Sequence, residues 1–271
     1  MIYVVIAIVI LLLLVTLYIL STRCRKGHPG LRKLRPWAYA HRGLHDKSRP
    51  ENSMSALRAA VAEGYGVEVD VHLLKDGNLA VIHDSTLLRT TGAEGRIEDL
   101  DSQDLWNYHL EGTAELIPTF REVLDVINGR VPIIIELKVV DNNYKALCQA
   151  VCRRLEHYKG VYCVESFDPR CVRWFRQNRP DIVRGQLVEN YFKSKIKLPW
   201  TLKLLLTCQM MNFLTLPDFV AYKFADRKRI GNQLIKKLWG AARVSWVITN
   251  KAHYQIAKRE GWIPIFENFK P

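Results

Sequence analysis

Nine short apolar or β-branched runs recur along the chain: Trp37–His41, Val67–Val71, Leu79–His83, Ile133–Leu137, Val161–Ser166, Val183–Leu187, Phe219–Tyr222, Val244–Thr249 and Ile263–Phe266. Between most of them the apolar residues repeat at helical spacing, over Met54–Glu63, Thr119–Ile127, Asn143–His157, Pro169–Asn178, Arg229–Ala242 and His253–Glu260. Ser53 can cap the first of these helices, and Gly64 can stop it. Strands that alternate with helices predict an α/β fold whose parallel sheet is covered by helices. A (β/α)8 TIM barrel needs eight strands and about 250 residues, so one strand is in surplus. Only seven residues separate Val71 from Leu79, and Lys75-Asp76-Gly77-Asn78 is turn sequence. Val71–His83 therefore reads as a hairpin rising from the second barrel strand. A hairpin returns to its base, which brings His83 beside Asp70.

The rest of the composition excludes other classes. Hydrophobic residues make up 48% and charged residues 25% of the 271, too apolar for a disordered chain. The six cysteines are irregularly spaced and lack a C-x-x-C pair, unlike a disulfide-stapled secreted domain. Cys148 and Cys152, one helical turn apart, read as helix packing. Unpaired thiols favour a reducing compartment.

Ile2–Leu20 holds nineteen residues without a charge, long enough to cross a hydrocarbon core and without the polar face of a core helix. Its uncharged start and the poor cleavage site at Ser21-Thr22-Arg23 point to an uncleaved anchor rather than a signal peptide. Nine basic residues against the single acid Asp46 follow between Ser21 and Arg49, which predicts that the remainder lies in the cytoplasm. The expected organisation is an anchor over 1–22, a basic juxtamembrane linker over 23–35 and a barrel over 36–271, with a lid-like insertion at 84–118. The net charge of +13 suits adhesion to anionic lipid. A nucleic-acid binder is disfavoured, since the basic residues flank the apolar segment and no nucleic-acid motif is present. Lys193–Leu216 interleaves lysines with Trp200, leucines and methionines. It reads as a barrel helix with a thick core face, the alternative being an interfacial helix laid on the bilayer.

Chemistry collects at the strand ends. His41-Arg42-Gly43 ends the first strand, Glu68-Val69-Asp70 the second, His83-Asp84 the hairpin and Glu136-Leu137-Lys138 the next barrel strand. In a barrel these C-terminal ends form the catalytic mouth. Glu68, Asp70 and Glu136 would make an all-oxygen site for one hard divalent cation, Mg²⁺ or Ca²⁺. His41 and His83 can serve as general acid and base near neutral pH. Arg42 and Lys138 supply positive charge where a phosphoryl group gains negative charge. Together they call for cleavage of a phosphate ester.

In order and with similar gaps, His41-Arg42-Gly43, Pro50-Glu51-Asn52, Glu68-Val69-Asp70, Lys75-Asp76-Gly77, His83-Asp84, Arg89-Thr90-Thr91 and Glu136-Leu137-Lys138 resemble the glycerophosphodiester phosphodiesterase family, a relative of the phosphatidylinositol-phospholipase-C-like barrels. Ser166-Phe167-Asp168 and Trp246 extend the resemblance to about residues 36–271. It implies a TIM barrel that hydrolyses glycerophosphodiesters to glycerol 3-phosphate and an alcohol with a divalent metal. Glu68, Asp70 and Glu136 would then be the metal ligands, His41 and His83 the acid–base pair, and Arg42 and Lys138 the phosphate ligands. Glu51 is expected either to line the pocket or to shape a turn with Asn52. Trp246 and Phe266 are expected either to wall the pocket or, as an aromatic in a barrel strand does by default, to pack, and Asp84 is expected to orient its loop. Two departures bear on the alcohol pocket: Phe266-Glu267-Asn268-Phe269-Lys270-Pro271 replaces a Thr-Asp-x-Pro ending, and Val247-Ile248-Thr249-Asn250 replaces Thr-Val-Asn. Both are expected to leave the metal and histidine set untouched. Rival expectations are a lysophospholipase D-like or glycerophosphate-polymer phosphodiesterase, and a non-catalytic anchored binding protein.

Overall fold

The computed structural model describes residues 1–271. Its nine strands form one sheet: β1 (Tyr39–His41), β2 (Gly66–Leu73), β3 (Leu79–Val81), β4 (Ile133–Leu137), β5 (Tyr162–Ser166), β6 (Arg184–Val188), β7 (Phe219–Lys223), β8 (Ala242–Ile248) and β9 (Ile263–Phe266). All but β3 run parallel, and β1 pairs with both β2 and β9, so eight strands close a barrel. β3 pairs antiparallel to β2, with Val71 opposite Val81 and Leu73 opposite Leu79. The surplus strand is the return arm of the predicted hairpin. The Ile82 amide donates to the Asp70 carbonyl at 3.1 Å, which brings His83 to the end of the second barrel strand.

Helices cover the barrel: α1 (Ile2–Ser21), α2 (Leu31–Leu34), α3 (Met54–Ala62), α4 (Leu88–Thr91), α5 (Phe120–Ile127), α6 (Tyr144–Leu155), α7 (Pro169–Asn178), α8 (Trp200–Thr207), α9 (Asn212–Thr215), α10 (Ile230–Leu234, continued as a π-helix to Trp239) and α11 (Lys251–Arg259). The Ser53 cap is as expected, and the structure adds a second at Thr119. Ser53 accepts from the Ala56 amide, and Thr119 forms a capping box with Glu122.

Strand alternation sorts the apolar residues into two cores. Val67, Val69, Val71, Ile133, Ile135 and Leu137 point outward, under the helices. Tyr39, Ile134, Cys163, Phe219, Val244 and Ile265 point into the barrel. The end of the barrel away from the mouth is plugged by this inner set and capped by Leu31 and Leu34. There the Phe219 ring occupies the space a side chain at Gly185 would need, since a Cβ on Gly185 would stand 2.1 Å from it.

Residues 23–35, expected as a linker, are packed against the barrel. Cys24, Leu31 and Leu34 are buried, and the Arg25 Nε lies 2.5 Å from Asp218. Apolar residues interleaved among the basic ones supply that contact, which a count of charges does not reveal. The insertion at 84–118 has a small core of its own, where Leu87, Ile97, Leu105, Leu110 and Ile117 pack on Leu74 and Ile82.

Lys193–Leu216 departs from the barrel-helix expectation. It splits into α8 and α9 at Gln209, whose φ of 59° is left-handed, and Thr207 is the only buried residue of α8. The α8 leucines join none of the cores. The apolar residues interrupted by lysine and threonine do not gather into a stripe wide enough to bury.

Candidate active site at the barrel mouth

Period-two alternation fixes which side chains reach the mouth. His41 follows Tyr39 on the inward face, Glu68 and Asp70 share the inward face of β2, and Glu136 follows Ile134. One oxygen from each of Glu68, Asp70 and Glu136 lies within 4.8 Å of the others, and all three residues are buried. The register that pairs Asp70 with Glu136 brings the carboxylates of the two strands together.

Burial raises the Glu68 pKa well above the ordinary carboxyl value, and repulsion from Asp70, Glu136 and Glu165 adds to it. Burial likewise raises Glu136, against the Lys138 ammonium. Burial also opposes ionisation of Asp70, but Lys138, His83 and Arg42 outweigh it and hold this carboxyl well below its usual range. The Lys138 Nζ sits 2.6 Å from Glu136 Oε1 and 2.9 Å from Asp70 Oδ1. These contacts raise its pKa despite burial. Four buried carboxyls (Glu68, Asp70, Glu136 and Glu165) thus face two cations, Arg42 and Lys138. An all-oxygen donor set with excess negative charge fits a hard divalent cation.

Both imidazoles are oriented by carboxylates. A carboxylate can only accept, so the proton at each contact sits on the ring. His41 Nδ1 donates to Glu267 Oε2 at 2.7 Å, which leaves Nε2 facing Glu68 Oε2 at 4.0 Å. His83 Nδ1 donates to Asp84 Oδ1 at 2.5 Å. Burial lowers the His41 pKa against the raising effect of Glu267. Burial lowers that of His83 to about 4, with Lys138 and Arg42 adding to the effect. Burial thus shifts both rings toward the neutral form.

Arg42 and Gly43 have φ values of 55° and 80°, and a Cβ on Gly43 would stand 2.9 Å from the backbone of Ala56. The tight turn directs the Arg42 amide to Glu68 Oε2 at 3.1 Å and its guanidinium to Glu51 and Asp70. A left-handed arginine stores strain of the kind found at functional sites. Asn52, also left-handed at φ 57°, donates from Nδ2 to Asp70 Oδ2 at 2.9 Å. Glu51 accepts from both Arg42 and Arg89. The Pro-Glu-Asn turn thus both shapes the backbone and reaches the acidic cluster.

Phe266 takes the packing role of its two expected ones. It is fully buried on the outer face, edge-on to Tyr65 at 5.0 Å and to Phe269 at 5.6 Å. Its neighbour Glu267 has the inward parity of Ile263 and Ile265, and so meets His41. The C-terminal departure therefore touches the histidine set, contrary to expectation. Trp246 does face inward at the end of β8, edge-on to Phe167 at 5.6 Å. Sequence reasoning also missed Glu165, which shares the inward parity of Cys163 and pairs in register with Glu136. It missed His45, whose Nε2 lies 3.8 Å from Glu267, and His72, which bonds Glu98 and the His83 carbonyl. Strand parity would have found the two glutamates. The two histidines carry no comparable signal.

The profile of the glycerophosphoryl diester phosphodiesterase family matches residues 41–238. A glycerophosphodiester phosphodiesterase of Bacillus altitudinis is 35% identical over 155 residues, which is 53% of this chain and 63% of that protein. One of Caldanaerobacter subterraneus subsp. tengcongensis is 30% identical over 175 residues, covering 61% of this chain and 70% of that protein. The match thus spans less than two thirds of the first relative's length. Among solved structures, an Oleispira antarctica phosphodiesterase in complex with sn-glycerol-3-phosphate superposes with a TM-score of 0.72 at 23% identity, over 88% of this chain and 94% of that one. At that identity the likeness concerns the fold.

Proposed function

The chain belongs to the glycerophosphoryl diester phosphodiesterase family, and from that premise we propose that it hydrolyses glycerophosphodiesters to glycerol 3-phosphate and an alcohol. The observation that carries this reading is the meeting of three buried carboxylates with two carboxylate-oriented imidazoles at one barrel end. Glu68, Asp70 and Glu136 would hold one divalent cation, Mg²⁺ or Ca²⁺. When bound, such an ion neutralises charge on a phosphoryl oxygen and lowers the pKa of a hydroxyl beside it.

The chain's own groups divide the remaining work. Arg42 and Lys138 bind the phosphodiester anion and oppose the charge that grows on it in the transition state. With Nδ1 committed to Glu267, His41 keeps Nε2 for proton transfer. His83, tied to Asp84 in the same way, does likewise. One ring, neutral, takes the nucleophile's proton on Nε2, while the other enters the step protonated at Nε2 and gives that proton to the leaving alkoxide. Trp246 lines the alcohol side, and Glu51 holds Arg42 and Arg89 at the rim. His41→Ala and His83→Ala should each lower turnover by about 10²- to 10⁴-fold with unchanged circular dichroism. Glu68→Gln or Asp70→Asn should abolish the response to added metal. Retained activity in both histidine variants would falsify the assignment.

The enzyme acts at a membrane surface. α1 is long and apolar enough to cross a bilayer. The basic residues that follow it put the catalytic domain on the cytoplasmic side. Anchoring favours a second reading, in which the diester is a lysophospholipid cleaved as by a lysophospholipase D. Protease protection of sealed vesicles and turnover of glycerophosphocholine against lysophosphatidylcholine test these points.

A further inference from the structure

The last turn of α1 lies along the barrel wall beside α9 and α10. A methyl on Gly231, in the first turn of α10, would stand 3.1 Å from the Tyr18 hydroxyl. Trp239, at the far end of the same helix, donates from Nε1 to Thr22 Oγ1 at 3.3 Å. Arg25 then pairs with Asp218 and donates to the Pro180 carbonyl at 2.6 Å. Those two residues precede β7 and β6. A helix that follows a barrel strand starts at the mouth and runs back to the opposite end. Tyr18 is therefore at the mouth end of the wall and Arg25 at the far end. The exposed residues 1–17 project past the mouth.

The segments after β6 and β7 leave Phe192 55%, Ile196 50%, Trp200 70% and Ile230 77% exposed. Both segments belong to the wall that carries α1. The Tyr191 amide donates to Thr207 Oγ1 at 3.1 Å, and Gln209 Nε2 donates to Asn232 Oδ1 at 3.0 Å. Four lysines lie between positions 193 and 203, and the whole stretch from Lys193 to Arg259 has fourteen basic residues against Asp218 and Asp226. Apolar side chains in a cationic setting match the headgroup region of an anionic bilayer.

We infer that the barrel mouth faces the bilayer that α1 spans, with Phe192, Ile196, Trp200 and Ile230 seated at headgroup depth and the neighbouring lysines against lipid phosphates. The inference rests on the reading of α1 as a membrane span. It deepens the proposed function by fixing the side from which a lipid-borne diester arrives, since its phosphodiester already lies at the height of the mouth.

The test uses the full chain in vesicles containing about one third phosphatidylglycerol, a charge density at which basic residues bind the surface. Lipids brominated near the headgroup should quench Trp200 fluorescence, read as the difference from Trp200→Phe. A tryptophan introduced at exposed Lys33, on the far end, should be spared. Quenching of Lys33→Trp but not of Trp200, or of neither, overturns the orientation. Replacing Trp200 and Ile230 by serine should lower turnover of vesicle-borne lysophosphatidylcholine about tenfold, in line with lost apolar insertion. Turnover of soluble glycerophosphocholine should stay unchanged. Equal effects on the two substrates contradict the rim's role. If neither substrate is cleaved by the parent chain, the phosphodiesterase reading fails, and the quenching contrast still decides the orientation.

Discussion

The two ends of the barrel interior are built on opposite principles. At the closed end Phe219, Tyr39 and Ile263 pack with Leu31 and Leu34, and the Tyr39 hydroxyl donates to the Leu34 carbonyl at 3.0 Å. At the mouth, toward the ends of β2, β4 and β5, buried carboxyls crowd against each other and two cations. Burying charge is costly unless it is paired. The closed end therefore stabilises the fold that the mouth strains. Stability and reactivity are separated along one axis rather than between domains.

The largest effect should come from the closed end. Phe219→Ala should cost about 3–5 kcal/mol in denaturant unfolding while leaving kcat/KM of the folded enzyme unchanged. A matching loss of kcat/KM would break the comparison. Next in size is the response of the mouth to a cation. Mg²⁺ or Ca²⁺ at about 100 times its dissociation constant should add about 2.7 kcal/mol, and the gain should vanish in Glu68→Gln. That variant without metal should be at least as stable as the parent, because burial and its acidic neighbours already disfavour a charge on Glu68.

Smaller effects sharpen the picture within the mouth. Glu267→Gln removes the anion that favours protonated His41, so the His41 pKa falls further. The limb of the pH–rate profile that reports this ring should move to lower pH, with about a tenfold loss in kcat, the scale of one misoriented proton-transfer group. An unmoved profile would reduce Glu267 to a packing residue. Least of all should be Glu165→Gln. Burial and then repulsion from Glu136 and Asp70 raise the Glu165 pKa well above its unfolded value. The folded state thus binds a proton that the unfolded state releases, and stability is lost as pH rises above the ordinary carboxyl range. Glutamine removes that loss, so Glu165→Gln should melt higher than the parent by about 2–4 °C at pH 8 and by less at pH 5.

Local signals carried most of the architecture. The β4, β9 and α7 boundaries coincide with the runs Ile133–Leu137, Ile263–Phe266 and Pro169–Asn178. Apolar runs, a Pro start and Asp/Ser/Thr caps act within a few residues. The hairpin was equally legible, since its turn lies between its own arms. The metal-ligand candidates stood out because carboxylates interrupt otherwise apolar strands. The C-terminal departure was misjudged: alternation from Ile263 and Ile265 sends Phe266 outward and Glu267 to His41.

Sequence alone thus determined the eight-strand parallel barrel, the hairpin and the carboxylate and imidazole candidates, because periodicity and turn chemistry are local. Tertiary structure decided which acid orients which imidazole, that residues 23–35 pack against the barrel, and at which end α1 leaves. Those outcomes depend on contacts such as His41 with Glu267 and Arg25 with Asp218, more than 190 residues apart in sequence. Only closure of the sheet brings such pairs together, and no local preference encodes the register in which it closes.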